Sequence, residues 1–134
     1  STRLSARNVE YLKKVLEFCR DNQIELFLMK VPSLSENWSY DYDEQIREIA
    51  EPYEVTYVNF DLFSDEMGLD FATDSPDEGS HLNTLGAEKF SRYLAQYISE
   101  HYAVTDRSKD ERYRAVWDAK LDRYEADKLR AADR

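Results

Sequence analysis

Two short apolar runs, each lying between helical segments, constrain the architecture more than any other feature of this 134-residue chain. Ile24 to Val31 ("IELFLMKV") is stopped by Pro32, and "VTYVNFD" from Val55 to Asp61 is rich in β-branched and aromatic residues. Runs of this length and composition read as strands of a parallel sheet, buried on both faces. Around them, Leu4 to Asn22 has Val9, Leu12, Leu16 and Cys19 at three- and four-residue steps, the pattern of an amphipathic helix. Asp43 to Pro52 is expected to form a short helix burying Ile46, Ile49 and Ala50. Asn83 is placed to cap a helix burying Leu85, Phe90, Leu94, Tyr97 and Ile98. The order helix, strand, helix, strand, helix marks an α/β architecture with crossover connections.

Two strands make a poor sheet, and both look too apolar to leave a face open. Further strands are therefore expected from outside this segment, either from upstream chain or from a partner such as a second copy. The chain does not begin with Met, in keeping with a processed or excised piece of something longer.

Charge narrows the partners. The net charge is −10, and between Glu48 and Glu88 there are eleven Asp or Glu and no Lys or Arg. Such a field repels phosphate backbones, so nucleic acid is not an expected partner. No apolar run reaches the roughly 20 residues needed to span a membrane, and no signal-peptide pattern opens the chain. Cys19 is the only cysteine and sits at core spacing beside Leu16. After His101 the composition shifts. Fifteen of the 27 residues from Ser108 to Arg134 are charged, and Tyr113, Val116, Trp117, Leu121, Tyr124 and Lys128 share one helical face. The organisation read from this is an α/β part over residues 1–105 and a charged helical tail over 106–134. That tail either docks through its thin aromatic stripe or offers the stripe to a partner.

In open α/β sheets ligands sit beyond the carboxyl ends of the strands. Three loops leave such ends here: "PSLSENW", "DLFSDE" and the acidic stretch leading into "DSPDEGSHLNTLGAEKF". His81 precedes a helix start, with carboxylates three and four residues upstream. Two readings stay open at this point. His81 packs against its own helix start, or it is oriented by a carboxylate and exchanges protons with a hydroxyl nucleophile. A divalent cation held by Asp74, Asp77 and Glu78 does not fit the spacing of a calcium loop, so no metal is expected.

"DEGSHLNTLGAEKF" resembles the last signature block of the SGNH/GDSL hydrolases, Asp-x-x-His followed by Pro-Asn-x-x-Gly. His81, Asn83 and Gly86 match it, with Leu82 in place of Pro. "ELFLMKVPS", "VNFDLFSDEMGLDFATDSPDEGSHLN" and the late Asp110, Tyr113 and Trp117 are similar to a group of bacterial cell-surface members. The likeness spans about residues 8–120, and only the His block is specific. It implies a partial three-layer α/β/α, flavodoxin-like sheet, incomplete in this chain. It also implies an extracytoplasmic or cell-surface setting, acyl esters of carbohydrates or envelope polymers as substrates, and no cofactor.

In that family the His is the base for a Ser nucleophile and the Asp orients it. The family's spacing lands here on Glu78, with Asp77 one residue further away; either can serve, and Asp77 is favoured. The nucleophile block and the Gly-x-Asn-Asp block are absent, so the chain would supply the His and carboxylate only. Asn83 reads as a helix cap, not as the block Asn. Ser33 and Ser35 follow the first strand but lack the Gly-flanked turn of a nucleophile; substrate or oxyanion contact, with Trp38, suits that loop better. The rival reading is a non-catalytic module binding a glycan or a protein through Trp38, Tyr40 and Tyr42.

Overall fold

The structure is a computed structural model that describes residues 2–132. Among them are four α-helices and a two-stranded parallel sheet, a mixed α/β arrangement. The order is α1 (Ala6–Asp21), β1 (Phe27–Lys30), α2 (Tyr40–Ala50), β2 (Thr56–Asn59), α3 (Thr84–His101) and α4 (Glu111–Ala132). The chain forms two compact units, Ser1–Gln96 and Tyr97–Arg134. The boundary expected at 105/106 lies inside the second.

In the first unit α1 starts at Ser5, whose hydroxyl accepts the Asn8 N–H at 3.1 Å, and it buries Leu16 and Cys19 as their spacing implies. Helix α2 begins three residues before the expected Asp43. Ser39 is its cap, accepting the Asp41 N–H, and Asp41 and Asp43 in the first turn complement the helix dipole. Ala50 is fully buried, whereas Ile46 and Ile49 are only half-buried. The helix tightens into a 3₁₀ turn at Glu51–Tyr53, where Pro52 lacks an N–H for further α-helical bonding.

Strands β1 and β2 pair in register, Leu28 with Tyr57 and Lys30 with Asn59. Period-two alternation therefore puts Leu28, Lys30, Tyr57 and Asn59 on one face, toward α2, and Phe27, Met29, Thr56 and Val58 on the other. The expectation of strands buried on both faces does not hold within the described residues. Met29 is 42% exposed, and Ile24 and Val31 are exposed as well. With two strands, α2 covers one face, and on the other Phe27 meets Phe60 while Met29 stays exposed.

The core centres on Phe60, in the 3₁₀ turn Phe60–Phe63 that follows β2, and it is fully buried. Its ring lies 5.5 Å from Phe90, 6.1 Å from Phe63 and Tyr93, and 6.2 Å from Phe27. Edge-to-face contacts of this kind add to the burial of apolar area. Helix α3 enters the core through Phe90 and Gly86. Leu85, expected inside, is exposed; it sits about 100° around the helix from the buried Gly86.

In the second unit, Tyr97 stacks on His101 at 4.1 Å, and Arg112 pairs with Asp110 at 2.6 Å. Along α4, Tyr113, Val116, Trp117, Leu121 and Tyr124 are all exposed. Lys120 lies over the Trp117 ring at 4.7 Å. No helix among the described residues is long and apolar enough to cross a membrane.

Candidate functional site

The chain reverses direction at Asp77–Ser80, closed by the Ser80 N–H donating to the Asp77 carbonyl at 3.2 Å. Both central residues have positive φ, Glu78 at 57° and Gly79 at 96°. Such a turn admits glycine readily and other residues at a cost. It throws Asp77 forward onto His81. Asp77 Oδ1 accepts the His81 backbone N–H at 2.8 Å, and Oδ2 lies 2.5 Å from the ring Nδ1.

The ring hydrogen bond, then the backbone one, holds the Asp77 carboxyl below its ordinary value. Asp77 is therefore ionised at neutral pH and can only accept. The proton of a neutral His81 then sits on Nδ1, and Nε2 carries the free lone pair. The imidazole is 78% exposed. Of the two candidate carboxylates, Asp77 reaches His81. Glu78 has left-handed backbone geometry and is exposed.

The carboxylate Asp74 has another task. It is buried, and its Oδ2 accepts the Asp70 N–H at 2.9 Å and the Lys89 ammonium at 2.7 Å. These two contacts, the backbone one first, hold its carboxyl below the ordinary range. Its carbonyl accepts the Asn83 N–H at 2.8 Å, while Asn83 Oδ1 caps α3 through the Gly86 N–H at 3.1 Å. A Cβ at Gly86 would come within 2.5 Å of that same Asp74 carbonyl, so the glycine permits the close approach. Asp74, Asn83 and Gly86 thus fix the helix start directly after His81. Among the described residues no group of three His, Cys, Asp or Glu is arranged to hold a metal ion.

At the carboxyl ends of β1 and β2 lies a polar cluster that is not among the sites expected from sequence. Lys30, with its side chain only 8% exposed, donates to Asp61 Oδ2, to Ser33 Oγ at 3.1 Å and to the Val31 carbonyl at 3.2 Å. Asp61 Oδ1 accepts the Ser33 N–H at 2.6 Å. Deeper in, Asp43 accepts from Tyr57 Oη at 2.6 Å, Asn59 Nδ2 at 2.8 Å and Trp38 Nε1 at 3.1 Å. Burial, and then the Asp43 carboxylate, push the Tyr57 hydroxyl above its ordinary range. A signal for the cluster was present. A lysine ending an apolar strand is rarely buried unless paired, and an aspartate ends the next run.

Ser33 is half-buried, and its hydroxyl accepts from an ammonium paired with a carboxylate. Ser35 closes a turn, its carbonyl accepting the Trp38 N–H at 3.1 Å. Trp38 is half-buried between Lys30 and Tyr42. Of the three aromatics considered for a binding surface, Tyr40 is the exposed one, at 68%.

No family model matches the chain, and no match is found among curated proteins or solved structures.

The Asp77–His81 contact has a pH signature. A carboxyl depressed in the folded state contributes stability that is present above its unfolded value, about 3.9. That contribution is lost as pH falls through the lower folded value. His81→Ala removes the larger cause, so the Asp77 midpoint is expected to rise in that variant, as followed by carboxyl ¹³C shifts. An unchanged midpoint would mean the contact does not persist in solution.

Proposed function

We propose that this chain supplies the acid–base half of a Ser-dependent, SGNH-type esterase or O-acyltransferase. Its substrates in this reading are acyl esters of carbohydrates or cell-envelope polymers, met outside the cytoplasm or at the cell surface. The observation that carries the proposal is the double engagement of His81 by Asp77, which orients the imidazole and fixes its tautomer. In the reaction Nε2 takes the proton of a serine hydroxyl as that oxygen attacks the acyl carbon. It then returns the proton to the departing alcohol.

The nucleophile and its oxyanion donors come from outside these residues, from upstream chain or a second molecule. The half-open sheet, with Met29 exposed, supports a missing neighbour, and it fits an incomplete three-layer α/β/α domain. No metal or organic cofactor enters this chemistry.

This chain alone is expected to hydrolyse a short-chain aryl ester no faster than its His81→Ala variant. A general base without a positioned hydroxyl has nothing to activate. A large His81-dependent rate would contradict the external nucleophile and make Ser33 the first residue to replace. The second reading, a glycan- or protein-binding module, has the exposed Tyr40 in its favour; saturable glycan binding lost in Tyr40→Ala would support it.

A further inference from the structure

The buried ion pair at the ends of the strands is joined to the His81 turn by an unbroken set of contacts. Asp61, held by Lys30, accepts the Ser33 N–H at 2.6 Å and so fixes the loop that leaves β1. The next residue, Leu34, donates its N–H to the Gly79 carbonyl at 2.8 Å. The Leu34 side chain also lies against Gly79 so closely that a Cβ there would stand 2.7 Å from Leu34 Cγ. Gly79 is one of the two positive-φ residues of the reversal. Its N–H donates to Ser75 Oγ at 2.7 Å, and that hydroxyl lies 3.2 Å from Asp77 Oδ1. Asp77 then holds His81 at two points.

From this we infer that Lys30 and Asp61 are a positioning pair for His81, acting through Ser33 and Leu34 to hold the turn that aims Asp77. The physical case rests on exposure. His81 and Asp77 lie at the surface, where a hydrogen-bonded pair of side chains gains little by itself. A fixed geometry there requires support from a buried group, and the Leu34–Gly79 contact provides it from the far side of the turn. Lys30 and Asp61 touch no reacting atom in this scheme. They are not catalytic residues, although Ser33 lies close enough to suggest one. The significance of the pair rests on the reading of His81 as a general base. Its effect, however, is read on the Asp77–His81 contact itself, so loss of one idea is distinguishable from loss of the other.

The experiment compares the Asp77 carboxyl midpoint, by ¹³C NMR titration, in four forms of this chain. These are the wild type, His81→Ala, the double variant Lys30→Met/Asp61→Leu, and Leu34→Ala. Replacing both charges of a buried pair with apolar groups of similar volume is tolerated where removing one is not. The double variant therefore folds while losing the Ser33 acceptor. Its Asp77 midpoint is expected to move most of the way to the His81→Ala value, and that of Leu34→Ala to move part of the way. Leu34 is exposed, so its truncation leaves the fold intact and decides the question should the double variant not fold. As a control, Leu16→Ala lowers stability through the core and leaves the midpoint in place. A wild-type midpoint in a folded double variant, or in Leu34→Ala where the double variant does not fold, overturns the inference.

Discussion

Phe60→Ala is expected to cost about 3–5 kcal/mol of folding stability, the range for truncating a fully buried aromatic. The ring is closed in by Phe27, Phe63, Phe90 and Tyr93. It therefore ties β1, the turn after β2 and α3 into one core. Truncation leaves a void that four surrounding rings cannot all relax into, so transfer and cavity costs add. A domain of this kind has only about 5–15 kcal/mol in hand, so the loss is a large share of the total. Urea unfolding measures this as a large fall in midpoint at nearly constant slope. Leu85→Ala, at an exposed position of α3, is the contrast and should fall within about 0.5 kcal/mol of wild type. Similar losses in both variants would mean that the core is not centred on Phe60.

Local patterns were legible where local physics decides. The three- and four-residue recurrence of Leu12, Leu16 and Cys19 is enough to specify α1, and the two apolar runs pair as parallel strands. Asn83 could be recognised as a cap because a short polar side chain before a helical run has little else to do. What escaped was set by long-range contacts. Ser39 caps α2, but in sequence it is one polar residue among many in an aromatic loop. Lys30 and Asp61 are 31 positions apart, and their burial as a pair is decided by strand register rather than by either neighbourhood. The open face around Met29 is not legible in sequence, because an apolar strand looks the same whether its cover is present or absent.

The site shows the same division. That a carboxylate would orient His81 was suggested by resemblance to the SGNH block, which places the Asp three residues ahead. The backbone decides which one. With Glu78 and Gly79 both at positive φ, the chain folds back so that the residue four positions upstream faces the imidazole. Spacing in sequence carries no such information, because one left-handed residue is enough to redirect a side chain.

The second large effect concerns His81 in the full product of the gene that encodes these residues. A fluorophosphonate probe reacts at an activated serine and makes no demand on the identity of the acyl group or acceptor. If Nε2 of His81 is the base that activates that serine, His81→Ala should slow labelling by about 10³-fold or more. Asp77→Asn should slow it as well, since an amide that donates its N–H₂ toward Nδ1 favours the wrong tautomer. Glu78→Gln should leave it unchanged. Stability is not the confounder, because His81 is exposed and its truncation removes no core contact. The measurement is the second-order labelling rate of wild type beside these three variants. A collapse in His81→Ala, a lesser loss in Asp77→Asn and none in Glu78→Gln is the expected result. Labelling of His81→Ala at the wild-type rate would contradict the assignment of His81 as the general base.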